Sequence, residues 1–118
     1  MSPETPPHQL VDLLGDADPG VRLRAALELG EAAYTPAAGP LVERFGHERD
    51  FQIREILTWA VLRVRDAALP LVHAALTSPH WLARLQAVHT VSKIGSPDDG
   101  PRLLALLDDP VDAVAARA

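Results

Sequence analysis

One spacing recurs through this chain, and it limits the folds open to the sequence. The pair Val21-Arg22 is followed 32 residues on by Ile53-Arg54, then after 30 by Ala83-Arg84 and after 31 by Val114-Ala115. Pro40, Pro70 and Pro101 follow the same rhythm, 30 and 31 residues apart, each just before an apolar run. Two independent markers with one period define an internal repeat, and a period between 20 and 50 residues belongs to solenoids and related arrays.

Each unit reads as two helices. In the first helix of each pair, helix A, the apolar positions are Val21, Ala25, Leu29 and Ala32; Ile53, Leu57, Val61 and Val64; and Ala83, Ala87, Val91 and Ile94. Steps of four, four and three keep each set on one helical face. Helix B contributes Leu10 with Leu14, Val42 with Phe45, Val72 with Leu76, and Leu103 with Leu107. The prolines suit the first turn of helix B, where a missing N–H leaves no partner wanting. Asp18, Asp50, Ser78 and Asp109 stand where N-caps of helix A are expected. The predicted A helices cover 19–33, 51–65 and 80–94, and a fourth begins in 110–118. The predicted B helices cover 7–15, 40–45, 67–77 and the run ending at Leu107.

The pattern D-P-x-V-R-x-x-A-A-x-x-L-G at Asp18 to Gly30 resembles the first helix of a HEAT repeat. The kind it resembles is the short bacterial one also seen in phycobilisome lyase subunits. Residues 92–110, SKIGSPDDGPRLLALLDDP, resemble the second half of that unit. The sequence departs from the pattern at Leu62 and Arg65, where small residues are expected, and at Ala115, which replaces arginine. The resemblance implies an all-α, right-handed α-α superhelix of about three helix pairs with a half-repeat at each end. On this reading residues 7–118 form one HEAT-like domain and residues 1–6 a loose proline-rich arm. Half-repeats at both ends fit three arrangements: a piece of a longer array, ends that pair with another subunit, or short end helices that suffice.

Composition narrows the function classes. The 118 residues carry a net charge of −5, which weighs against general binding to nucleic acid phosphates. There is no cysteine, hence no thiolate chemistry. No apolar run reaches the ~18 residues of a membrane span, and the N-terminus lacks a signal pattern, so a cytoplasmic protein is expected. Ten of the eleven basic residues are arginine, which reads as GC-rich coding and a bacterial source.

No catalytic residues, metal ligands or cofactor are expected. The five histidines are never three or four residues apart, so no helical metal pair exists. No glycine-rich phosphate loop is present. What stands out is the outward face of helix A, expected on the convex side of the solenoid. Its positions hold Pro19, Leu23 and Leu27; Phe51, Glu55 and Trp59; and Trp81, Leu85 and His89. Charged residues are expected there, so an apolar stripe through Leu23, Leu27, Phe51, Trp59, Trp81, Leu85 and His89 reads as a contact surface, unless the tryptophans fold down and widen the core.

On helix B the column Val11, Glu43, His73, Leu104 places Glu43 beside His73 on the concave side, and the next column places Asp12 beside Arg44. Glu43, Arg44 and His73 form a second, polar candidate surface, with an ordinary cross-repeat ion pair as the plainer reading. The arginine column Arg22, Arg54, Arg84 reads as an inter-repeat ladder with Asp18 and Asp50, or as a basic ladder for phosphate or acidic peptide.

The reading that follows is a non-catalytic scaffold that binds another protein, or its own kind through the solenoid ends. Two alternatives come from resemblance. Segments 52–61 and 85–95 are similar to HEAT-repeat proteins that accompany transcription regulators, which implies a regulatory or sensor module. HEAT-like folds also occur in DNA-alkylation glycosylases and bilin lyase subunits, which implies tryptophans and a carboxylate around a concave cleft.

Overall fold

The computed structural model describes residues 5–118, so residues 1–4 of the expected arm lie outside the described residues. Among the described residues every regular element is a helix. They are α1 (Pro7–Leu13), α2 (Pro19–Ala32), α3 (Ala38–Glu43), α4 (Phe51–Arg63), α5 (Arg65–Ala75), α6 (Trp81–Ile94), α7 (Gly100–Leu106) and α8 (Asp112–Arg117). Single 3-10 turns at Thr35–Ala37, Arg44–Gly46 and Pro97–Asp99 flank the short B helices.

The even-numbered helices are the A helices. α2 packs on α4, α4 on α6 and α6 on α8, which makes one layer, while α1, α3, α5 and α7 supply the B helices. The body measures 45 × 27 × 19 Å, longer than a sphere of this chain length would be. A short α-solenoid has this shape because each unit touches only its neighbours.

Between the layers lies one apolar core, which includes Leu10, Leu29, Leu41, Phe45, Leu57, Val61, Val72, Val88 and Val91. Nine of the twelve predicted A-helix core positions are buried. Val21 and Ile94 are half-buried, and Ala32, in the last turn of α2, is exposed. In the last B helix the buried partner of Leu103 is Leu106 rather than Leu107, which is exposed. α7 ends at Leu106, so its inward pair is spaced by three instead of four.

Helix ends follow local chemistry. Asp18 caps α2 by accepting from the Gly20 amide, and Asp50 caps α4 by accepting from the Ile53 amide. Ser78 and Asp109 are not N-caps. The cap positions of α6 and α8 belong to His80 and Val111, and Ser78 and Asp109 sit two residues earlier. The second B helix begins at Arg65, two residues sooner than expected, because Val64 closes α4 and opens α5 at once. The Ala67 and Ala68 amides both donate to the Val64 carbonyl. Pro70 therefore lies inside α5, beyond the first turn.

Two A helices end on a left-handed residue, Ala33 (φ 48°) after α2 and Gly95 (φ 69°) after α6. A Cβ in that conformation crowds the following carbonyl, and glycine avoids the clash. We expect Gly95→Ala to lower unfolding free energy by about 1 kcal/mol and Ala33→Gly to raise it by a smaller amount, since added glycine also loosens the unfolded chain. Urea unfolding of the two variants beside the wild type would check both signs.

Candidate functional site

The polar framework of the A layer is a ladder. Two residues before each A-helix cap stands Asp16, Glu48, Ser78 or Asp109, and each side chain accepts a hydrogen bond from the cap residue's own amide, at 2.9, 3.3, 3.1 and 2.9 Å. The arginine column answers it. Arg22 Nη1 donates to the Asp16 and Ala17 carbonyls, Arg54 Nη1 to those of Glu48 and Arg49, and Arg84 Nη1 to that of Ser78. The other edge of each guanidinium points to the next repeat. Arg22 grips Glu48 through Nε (2.8 Å) and Nη2 (3.2 Å), and Arg84 grips Asp109 in the same way at 2.7 and 3.1 Å.

The ladder therefore does not use Asp18 and Asp50, whose carboxylates are engaged as caps. Glu48 is the hub. It is 1% exposed, and besides Arg22 and the Asp50 amide it meets Arg44 Nη2 at 3.5 Å. A planar fork meeting a carboxylate with two parallel bonds is geometry that arginine supplies and lysine does not. Hydrogen bonding to Glu48 raises the Arg22 pKa. Hydrogen bonding from Arg84 holds the Asp109 carboxyl below its usual range, against the opposing effect of desolvation and with help from the Val111 amide.

A second polar seam lies buried between α4 and α6. Gln86 Nε2 donates to Thr58 Oγ1 and to the Arg54 carbonyl, Thr90 Oγ1 donates to the Gln86 carbonyl at 2.8 Å, and the two threonine hydroxyls meet at 2.9 Å. Donors and acceptors match around the ring when Thr58 donates to Thr90. Sequence reading missed this seam. Its signal was three polar residues on faces that adjoin the apolar columns.

The expected A-face stripe divides in two. Phe51, Trp59 and Trp81 are exposed at 61%, 37% and 40%. Leu23 and Leu85 are half-buried and packed against the core, and Leu27 is half-buried. His89 is not part of an open apolar surface. Its Nε2 lies 3.0 Å from Glu55 Oε1 and its Nδ1 lies 2.8 Å from Arg117 Nη1, so a polar chain runs from α4 through α6 to α8. One edge of Trp59 rests on α2, where Gly30 makes room. A Cβ on Gly30 would overlap the indole. The Gly30 carbonyl also accepts from Arg63 Nε at 3.0 Å.

The polar set expected on the B helices does not assemble. Glu43 pairs with His47 at 3.3 Å, one helical turn away, and not with His73. Arg44 turns to Glu48 instead of Asp12 because that carboxylate is buried beside it. His73 reaches forward to Asp99, with Nε2 2.8 Å from Oδ1. The two atoms are close without forming a hydrogen bond. Arg102 meets the same Asp99 oxygen at 3.3 Å. The three predicted residues thus serve three separate pairs.

A groove of about 280 Å³ is lined in part by Glu43, His47, Leu71, Ser78 and His80. Among the described residues no three carboxylates or imidazoles converge in a way that could hold a metal ion. No helix among them is long and apolar enough to cross a membrane.

A layered array of helix pairs, stitched by arginine at one repeated position, is an α-solenoid. The family model for HEAT repeats matches residues 56–118, more than half of the chain, and the chain belongs to the HEAT-repeat family. Among curated proteins none matches it. HEAT repeats generally serve as protein-interaction scaffolds.

Removing the Glu48 carboxylate leaves two arginines beside a buried gap. We expect Glu48→Ala to cost about 3 kcal/mol, near the range for breaking a buried pair by deleting one partner. A loss under about 1 kcal/mol in chemical unfolding would place Glu48 among ordinary surface pairs. For Asp109 the folded-state pKa is depressed, so its contribution is present above the unfolded carboxylate pKa and is lost as pH falls through the folded value. The stability gap between wild type and Asp109→Asn should therefore be flat from about pH 5 to 7 and shrink below about pH 4. Unfolding curves at a series of pH values test this, and a gap that persists unchanged at pH 3 would contradict it.

Proposed function

We propose that this chain is a non-catalytic interaction module that binds another protein through the outer face of its A layer, with Phe51, Trp59 and Trp81 as anchors. One observation carries the reading: three large aromatic side chains stand exposed on the two central A helices. Phe51 and Trp81 open their helices at the same register one repeat apart, and Trp59 lies two turns along α4. Aromatic anchors offer a large contact area at small entropic cost, which is why they concentrate at binding surfaces.

The half-buried Leu23, Leu27 and Leu85 form the apolar margin of this face in the proposal. His89 is a polar rim, because its ring is held between Glu55 and Arg117. The two tryptophans stand on the A layer, on α4 and α6, which favours the interaction reading over the enzyme alternative. The proposed source is a bacterium, which the arginine-rich composition supports, with the cytoplasm as the proposed setting.

The test substitutes the exposed positions only, since Leu23 and Leu85 also hold the core. A Phe51→Ser, Trp59→Gln, Trp81→Gln variant should keep its helical circular dichroism and lose partner capture from native extract. Trp81→Ala alone should weaken a captured partner by about 2 kcal/mol or more, roughly thirty-fold in Kd. A partner retained by the folded triple variant would show that the A face is not the contact surface. A fall in solution mass in the triple variant would instead make the face a self-association surface.

A further inference from the structure

The ladder has one rung without its carboxylate. At two successive-repeat interfaces an arginine fork closes on an acidic side chain, Arg22 on Glu48 and Arg84 on Asp109. At the interface between them the arginine is Arg54, and the residue at the answering position is Ser78. That equivalence is structural. Ser78 Oγ accepts the His80 cap amide, as Glu48 accepts that of Asp50 and Asp109 that of Val111. A serine hydroxyl carries no charge and cannot accept two parallel bonds from a fork.

Arg54 is nevertheless set up as its counterparts are. Nη1 is tied to the Glu48 and Arg49 carbonyls at 3.3 and 2.7 Å, which fixes the guanidinium plane. The exposed ring of Phe51 lies 5.8 Å from its central carbon and supports one face. Nε and Nη2, the edge that binds a carboxylate in the neighbouring rungs, have no hydrogen-bond or ion-pair partner among the described residues.

We propose that Arg54 Nε and Nη2 form a binding site for a carboxylate supplied from outside the chain, an aspartate or glutamate side chain of a partner protein. The chain itself provides the template: the same fork, held through Nη1 to backbone carbonyls ahead of its helix, takes a carboxylate in both adjacent rungs. A preoriented fork loses little freedom on binding, so an acidic side chain arriving there completes a motif the fold has already built. Phe51 stacks on Arg54, and Trp81 opens the helix that Ser78 precedes. The acidic residue therefore docks at the aromatic face and fixes the orientation of a partner held by apolar contacts. This inference rests on the interaction-module reading and adds the chemistry of one contact to it.

The direct test is a titration of 15N-labelled protein with the peptide acetyl-Leu-Asp-Glu-Leu-amide, following the arginine Nε–Hε resonances. The Arg54 resonance should move saturably, while those of Arg22 and Arg84, whose forks are filled, stay in place. Ser78→Asp supplies the missing carboxylate from within. In that variant the Arg54 resonance should move towards those of Arg22 and Arg84 before any peptide is added, thermal stability should rise, and peptide affinity should fall at least roughly tenfold. Arg54→Lys keeps the charge without the fork; peptide binding to it, followed by calorimetry because the variant has no Arg54 resonance, should be at least roughly tenfold weaker than to the wild type.

An Arg54 resonance unmoved by peptide, or moved equally in Ser78→Asp, would overturn the proposal. So would inorganic phosphate shifting it at lower concentration than the peptide does. Because the titration needs no native partner, its failure removes the fork alone. Loss of the aromatic-face reading would show separately, as capture that survives the triple aromatic variant.

Discussion

Two of the three A-layer interfaces depend on a carboxylate meeting an arginine from the preceding repeat. A solenoid has no distant contacts to fix one unit against the next, so each interface must specify its own register. Apolar packing alone tolerates sliding between helices faced with alanine and leucine. A buried carboxylate such as Glu48 does not, because displacement strands its charge without a partner. The same side chain also binds the Asp50 cap amide, so one residue sets where α4 begins and where α2 lies against it.

The three A-layer interfaces meet this requirement differently. Between α2 and α4 it is met by Arg22–Glu48, by the Trp59 ring resting on Gly30, and by Arg63 on the Gly30 carbonyl. Between α6 and α8 it is met by Arg84–Asp109 and by the Arg117–His89 contact. Between α4 and α6 the acidic rung is absent, and the buried Thr58–Gln86–Thr90 seam and the Glu55–His89 pair take its place. Polar groups in a dry interface specify one alignment because a shifted one would leave them unsatisfied.

The repeat, the helix pairs and most of the core were legible because they depend on periodicity. Val21, Ile53 and Ala83 keep their spacing whatever their neighbours do. The ladder was half legible. The arginines were seen as a column, but their partners were sought at Asp18 and Asp50, one position type too late. The sequence does hold the answer, since Asp16, Glu48, Ser78 and Asp109 repeat at intervals of 32, 30 and 31, the same as those from Arg22 through Arg54 and Arg84 to Ala115. What periodicity could not supply was side-chain direction. Glu43 and His73 share a column, yet Glu43 finds His47, four residues on past the Arg44–Gly46 turn, sooner than a histidine on the next repeat. For the same reason His89 looked apolar by position and proved polar by company, because Glu55 and Arg117 come from helices on either side.

A consequence follows for where function can reside in such a fold. An arginine that holds a neighbouring carboxylate is spent on structure, and removing it would loosen the array. Arg54 differs because the interface it belongs to is held by the threonine–glutamine seam, so its fork edge carries no structural duty. The exposed aromatics Phe51 and Trp81 begin the two helices of that same interface. The one interface whose alignment no longer relies on the ladder thus gathers both a free guanidinium edge and uncovered aromatic rings. Buried hydroxyl and amide groups hold that repeat pair together, and its outer aromatic rings stay uncovered.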